Sequence, residues 1–187
     1  MSAEKRNLWG GEKTCHGLPT DQVLSALQKE IRRNNTENAV LLAYEMMITS
    51  PAMEAHLWRR LMIISVEDIG FGEPNAPVML STLYQMVKTF DWADDERALF
   101  TVHAVRYLCG CRKDRSSDEM VAWIKHAVSR GEAEVNIPDY ALDMHTAEGR
   151  AKGRGLEHFY KEGAKVVPEL PNRDVTYRQR ILEMLET

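Results

Sequence analysis

Apolar side chains recur along this chain at spacings of three and four, the mark of helices that turn one stripe inward. Val23, Leu24, Leu27 and Ile31 form the first stripe, from Thr20 to about Arg33, with Asp21 favourably placed in the first turn. Beyond Asn34 and Asn35, Thr36 is expected to cap a second helix, whose stripe is Ala39, Leu42, Ala43 and Met46. Ser50-Pro51 breaks that helix, and the short link between the two predicts an antiparallel pair. A third helix is expected from Pro51 to about Asp68. Leu57, Leu61 and Ile64 are its inner positions, and Trp58, Met62 and Ile63 widen the stripe until the helix must be covered on most sides. Gly70 fits the left-handed position after a helix end. Asn75 is the expected cap of the next helix, with Pro77 in its first turn and Leu80, Leu83, Tyr84 and Val87 inside. Ala98, Val102, Val105 and Cys109 mark another core helix closed by Gly110. Ser116 with Glu119 reads as the capping box of a sixth, with Val121, Ile124 and Val128 facing inward and Gly131 ending it.

No segment alternates as a strand should. The fold class is therefore all-α, a compact multi-helix bundle. After Ile137-Pro138 the chain becomes richer in Gly, Arg, Glu and Pro. Helical pieces are expected at Tyr140–Lys152 and Leu156–Ala164, then a linker at Pro168 and Pro171. Asp174 is placed to start a last helix carrying Tyr177, Ile181 and Leu185. The expected organisation is an N-terminal arm (1–19), a helical core (20–131), and a helical, Gly/Arg-rich C-terminal extension (132–187) packed on that core.

Composition narrows the function classes only a little. The 187 residues are 44% hydrophobic and 28% charged, ordinary values for a globular protein. A net charge of -4 argues against a binder of nucleic acid by bulk charge, and leaves a local basic patch open. No apolar run reaches the roughly 18 residues of a membrane span. The start lacks a signal core, and three cysteines suit reduced thiols, so a cytoplasmic location is expected.

Candidate chemistry is sparse. Glu67-Asp68 is an acid pair, but neighbours on a helix point about 100° apart and do not easily share one substrate proton. The better reading pairs Glu67 with a basic residue such as Arg59 or Arg60, and sets Asp68 against backbone N–H groups at the corner. His145 and Glu148, with Asp143 and His158 nearby, lack the converging motif a metal requires. Cys15-His16 are neighbours in sequence only, and Gly10-Gly11-Glu12-Lys13-Thr14 lacks the spacing of a phosphate loop. No catalytic residue, metal or cofactor is therefore assigned. Arg150, Lys152, Arg154, Lys161 and Lys165 form a basic constellation with Tyr140, Phe159 and Tyr160 as possible stacking platforms. Arg150 and Arg154 share a face if their helix persists. A helix-turn-helix reader at 58–87 is disfavoured, because Met79, Ser81, Thr82, Gln85 and Lys88 give its second helix no basic or amide-rich face.

One resemblance is more specific. The run Ser25-Ala26-Leu27-x-Lys29-x-Ile31-Arg32, then Ala39, is followed by Arg59-Arg60-Leu61-x-x-Ile64-Ser65-x-Glu67-Asp68-Ile69-Gly70-x-x-x-Pro74-Asn75-Ala76. This resembles the C-terminal, non-catalytic half of the replication-associated recombination protein A (MgsA/RarA) AAA+ ATPases. Tyr107-Leu108 followed by Lys113 and Ser116 falls where that family has a similar segment. The agreement is good over 22–130 and loose over 131–165. The resemblance implies a clamp-loader-collar-like helical domain that forms homo-oligomers, commonly tetramers, in proteins acting at stalled replication forks. The Walker A lysine, Walker B acids and sensor arginine are missing, so ATP hydrolysis is not carried over and the chain reads as a free-standing relative.

The reading is a non-catalytic oligomerisation and interaction module related to replication- and repair-associated ATPases. Its expected partners are further copies of itself (a dimer or tetramer), with an AAA+ ATPase, replication proteins and DNA as the other candidates, and no membrane. Arg59, Arg60, Glu67, Asp68, Gly70, Pro74 and Asn75 form its structural corner, and Arg150, Lys152, Arg154 and Lys161 are its candidate phosphate contacts. The alternatives are a nucleic-acid-binding module using residues 149–165, and an unrecognised hydrolase or metal-dependent enzyme centred on Glu67, Asp68, His103 or His145.

Overall fold

The computed structural model describes residues 12–185. Gly10 and Gly11 of the phosphate-loop echo, and most of the N-terminal arm, lie outside the described residues. The chain divides into two compact units, Met1–Arg130 and Gly131–Thr187.

Among the described residues the first unit holds six helices: α1 (Thr20–Arg32), α2 (Thr36–Thr49), α3 (Pro51–Ile64), α4 (Ala76–Val87), α5 (Glu96–Gly110) and α6 (Ser116–Arg130). Helix α2 lies at its centre, packed against α1, α3 and α5. The 3–4 periodicity did its expected work here. Leu27, Ile31, Met46, Leu57, Trp58, Leu61, Ile64, Leu80, Val87 and Leu108 are all buried in one core. Among the described residues there is no strand, only an isolated bridge between Lys13 and Pro19, and no helix is long and apolar enough to cross a membrane.

Several local expectations are corrected. Helix α3 does not run unchanged to Asp68; its last turn, Ser65–Ile69, is π-helical, followed by a 3-10 turn at Gly70–Gly72. Neither Thr36 nor Asn75 caps through its side chain. Asn35 precedes α2 without a side-chain bond, and the Asn75 N–H instead donates to Glu73 Oε1 at 3.2 Å. At the start of α6 the Ser116 N–H goes to Asp114 Oδ1 (2.9 Å) and the Glu119 N–H to the Arg115 carbonyl (3.0 Å). The largest correction concerns the face of α6. Val121, Ile124 and Val128 do not point inward; they are 48%, 44% and 59% exposed, and Ala127 is the one buried residue of that helix.

The first unit also contains a clamp with no conspicuous sequence signal. Glu54 of α3 is buried and receives Arg97 of α5, with Arg97 Nη2 donating at 2.7 Å. Arg97 Nη1 donates to the Val87 and Phe90 carbonyls at 2.8 and 2.7 Å, which satisfies the end of α4.

The second unit is built from short pieces: a 3-10 turn at Asp139–Ala141, α7 (Ala147–Ala151), α8 (Leu156–His158) continued by a π turn at Phe159–Gly163, and α9 (Thr176–Leu185). The helix expected over Tyr140–Lys152 is cut back to its second half. Thr146 caps α7 by accepting the Gly149 N–H (2.9 Å), while its hydroxyl donates to the Asp143 carbonyl (3.0 Å). A β-carbon on Gly149 would overlap the Asp143 backbone, so the turn before the helix needs a glycine here.

Candidate functional site

The corner after α3 is organised by the π turn. Widening the last turn brings both Asp68 and Ile69 inside, where a regular helix would separate them by about 100°. Asp68, fully buried, accepts three hydrogen bonds: from Arg32 Nε (2.5 Å), Arg115 Nη1 (2.7 Å) and Gln28 Nε2 (2.8 Å). Glu67 accepts from the same Gln28 (2.7 Å) and lies 3.6 and 3.5 Å from Arg32 and Arg115. Arg60 joins at one remove, donating to Gln28 Oε1 at 3.2 Å. Arg59 is exposed, so the expected pairing of Glu67 with Arg59 or Arg60 gives way to partners from α1 and from the start of α6. Asp68 likewise takes side-chain donors in place of the expected backbone ones.

Burial of Asp68 works to raise its carboxyl, but the hydrogen bonds from Arg32, Gln28 and Arg115 outweigh it and hold the group below the usual aspartate value. Two carboxylates thus face two guanidinium groups and an amide. Such a cluster ties α1, the π turn and the start of α6 together.

The rest of the corner is shaped by close backbone approach. Gly70 has φ +50° and ψ −130°, and a β-carbon there would overlap the Asp114 carbonyl. Gly72, which drew no attention in the sequence, would bring a β-carbon within 2.5 Å of the Arg112 carbonyl. The Asp114 N–H donates to the Asp68 and Ile69 carbonyls at 3.0 and 3.2 Å, so residues 112–114 lie directly across the corner. Pro74 and Asn75 form the exposed turn into α4.

The basic constellation of the second unit is taken up locally. Arg154 Nη1 donates to the Asp139 and Leu142 carbonyls at 2.6 and 2.9 Å, and its Nη2 pairs with the Asp139 carboxylate. Lys152 pairs with Glu148 (2.9 Å) and Asp139 (3.3 Å), Lys161 with Glu157 (2.7 Å), and Lys165 with Glu162 (2.7 Å). Arg150, exposed, donates to the Met144 carbonyl at 3.1 Å. Helix α7 ends at Ala151 and Gly153 has φ +69°, so Arg150 and Arg154 do not share a helical face.

The other candidates stay apart. His145 reaches Asp143 at 3.2 Å and meets the Phe159 ring edge-on, whereas the His158 Nδ1 is buried without a hydrogen-bond partner. Among the described residues, Asp143, His145, Glu148 and His158 do not form a group of three that converges on a metal. His103 is exposed on α5, away from the residues that border Glu67. On α4, Thr82 bonds back to the Val78 carbonyl and Lys88 lies over the Tyr84 ring.

The surface that does stand out is apolar. Met62, Ile63 and Val66 of the α3 end face Val121 of α6 across a groove of about 440 Å³, with Glu67 and Asp118 at its rim. The exposed face of α6 continues it through Met120, Trp123, Ile124 and Val128, with Trp123 62% exposed. The sequence singled out Met62, Ile63, Val121, Ile124 and Val128 as covered positions, because an apolar stripe turned toward a partner has the same period as one turned inward, and it passed over Val66, Met120 and Trp123.

A family model for the MgsA AAA+ ATPase C terminal matches residues 34–170 of the chain. Replication-associated recombination protein A of Bacillus subtilis (strain 168) is similar, at 31% identity over 142 residues. That match covers 74% of this chain and 32% of the relative, so the chain spans about a third of the relative's length.

Proposed function

This chain belongs to the family of MgsA AAA+ ATPase C-terminal regions, and on that premise we propose that it is a non-catalytic helical module that self-associates within a replication- or repair-linked assembly. The observation that carries the reading is the outward apolar face of α6. A 15-residue helix that buries one side chain, and leaves Met120, Val121, Trp123, Ile124 and Val128 in water, exposes a patch of the kind found at interfaces. The occupant is a second copy of the chain. The groove at Met62, Ile63, Val66 and Val121 and the exposed Trp123, Ile124 and Val128 all involve α6, and a two-fold contact pairs one such patch with itself. Tryptophan is a preferred anchor in such contacts. The replication-linked part rests on the name of the similar protein, and an AAA+ ATPase is the partner class that the family suggests. Nucleic-acid binding through 149–165 receives less support, because the cations of that segment already hold carboxylates or carbonyls.

Light scattering coupled to size exclusion, over a wide range of concentrations, tests the reading. A dimer or larger species is expected, returning to monomer when Trp123→Asp is introduced. A wild-type monomer at every concentration overturns it.

A further inference from the structure

The loop before α1 brings together three side chains that the helical core does not use. Its shape is fixed by its own backbone. The Thr14 N–H donates to the Leu18 carbonyl (2.9 Å), the Gly17 N–H to the Thr14 carbonyl (2.8 Å), and the Leu18 N–H to Thr14 Oγ1 (3.2 Å). Gly17 has φ +82°, which favours glycine at that position. Two further bonds seat the loop on α2: the Cys15 N–H donates to Thr49 Oγ1 (3.1 Å), and the His16 N–H to Glu45 Oε1 (3.3 Å). The loop is thus a tight frame that holds Cys15 and His16 out over one carboxylate.

That carboxylate is largely covered. The Glu45 side chain is only 12% exposed, and both its oxygens are directed at the loop. It stands beside a thiol and an imidazole. The Cys15 Sγ lies 3.4 Å from His16 Nδ1 and 3.8 Å from Glu45 Oε1, and His16 Nδ1–H donates to Glu45 Oε2 at 2.7 Å.

This is not the arrangement of a cysteine nucleophile. A nucleophilic Cys-His-acid relay uses opposite nitrogens of the imidazole, one for the thiol and one for the acid. Here thiol and acid both face Nδ1, so all three donor atoms converge on one point. We propose that Cys15, His16 and Glu45 form a site for a divalent transition metal of the zinc class. Bonds of about 2.3 Å to sulfur and about 2.0 Å to nitrogen and oxygen place tetrahedral ligands roughly 3.5 Å apart for S···N and roughly 3.3 Å for N···O. The sulfur–nitrogen edge already has that length. The short N···O edge is the proton-filled form of the site: the metal takes the place of the Nδ1 proton, and those two atoms move apart by about half an ångström. Binding releases the Nδ1 proton and the thiol proton to solvent, and the thiolate, imidazole and carboxylate then supply soft and borderline donors suited to zinc. One position is left for water. Bound metal would pin the N-terminal loop to α2, the central helix of the first unit.

Cobalt(II) is the probe, added to chelator-treated full-length protein under reducing conditions. One equivalent per chain is expected to produce a sulfur-to-cobalt charge-transfer band, and zinc is expected to abolish it by displacement. Cys15→Ser should remove the band, and Glu45→Gln should weaken cobalt binding by at least about tenfold, the effect of losing one ligand. Far-ultraviolet circular dichroism of the metal-free variants checks that both remain folded. A wild-type protein without the band overturns the site. So does a band of equal intensity in Cys15→Ser, which would place the sulfur at Cys109 or Cys111.

Discussion

Arg97 grips the buried carboxylate of Glu54, with Nη2 2.7 Å from Oε2, and so ties the start of α5 to the start of α3. The same guanidinium takes two carbonyls from the end of α4 and the turn after it. One side chain therefore closes three helices. Glu54→Ala would strand a largely buried cation, and destabilisation of about 3–5 kcal/mol is expected in urea denaturation. Glu54→Gln should cost less, since it keeps an acceptor. A loss below about 1 kcal/mol for Glu54→Ala would show that water replaces the carboxylate freely.

The corner gives a pH signature. Asp68 is held below its unfolded value, so between the two values the unfolded chain binds more protons than the folded one. Its contribution is complete above about pH 4 and is lost as the pH falls through the folded value. Asp68→Asn should remove the acid-side slope and lower stability by about 3 kcal/mol at neutral pH, because Arg32 and Arg115 lose the buried negative charge they share and the new amide N–H2 faces the Gln28 donor. Melting curves at several pH values check both. An unchanged acid slope in the variant would assign that slope to other carboxylates.

Gly70→Ala faces two penalties at once, a strained positive φ and overlap with the Asp114 carbonyl. A loss of more than about 2 kcal/mol is expected. Gly72→Ala meets only an overlap, with the Arg112 carbonyl, and should be milder. Equal effects would mean that the positive φ of Gly70 adds no penalty of its own.

In the second unit, Arg154→Ala removes the donors that bind the Asp139 and Leu142 carbonyls. Faster amide exchange is expected over residues 139–155, equivalent to about 1–2 kcal/mol of local stability. Unchanged exchange there would mean that the turn stands without Arg154, leaving its guanidinium available to a phosphate.

The sequence and the structure agree best where burial alone decides. Leu27, Ile31, Leu57, Leu61 and Val105 follow from spacing, because the core selects helical faces before any long-range detail matters. The corner was visible as a motif but not as a network. Gln28, Arg32 and Arg115 stand far from Asp68 along the chain, and nothing local marks which arginines will meet which acid. In the basic segment the offsetting acids were legible, since Glu148, Glu157 and Glu162 stand three or four residues from Lys152, Lys161 and Lys165 and fold against them. The Cys15-His16 pair gained meaning only when α2 brought Glu45 beneath it.

Arg115 reaches Asp68 and Glu67 with one nitrogen and Asp118, in the first turn of α6, with another. Below it, the Asp114 backbone is bonded to the corner. Helix α6 is thus rooted at its N-terminal end and packs mainly on the π turn, while Trp123 and Val128 stand farther out. The root of the helix is set by a charge cluster whose outer member, Glu67, borders the apolar groove, so a substitution at Arg32 or Gln28 would disturb the seat of α6 while leaving every side chain of its apolar face in place.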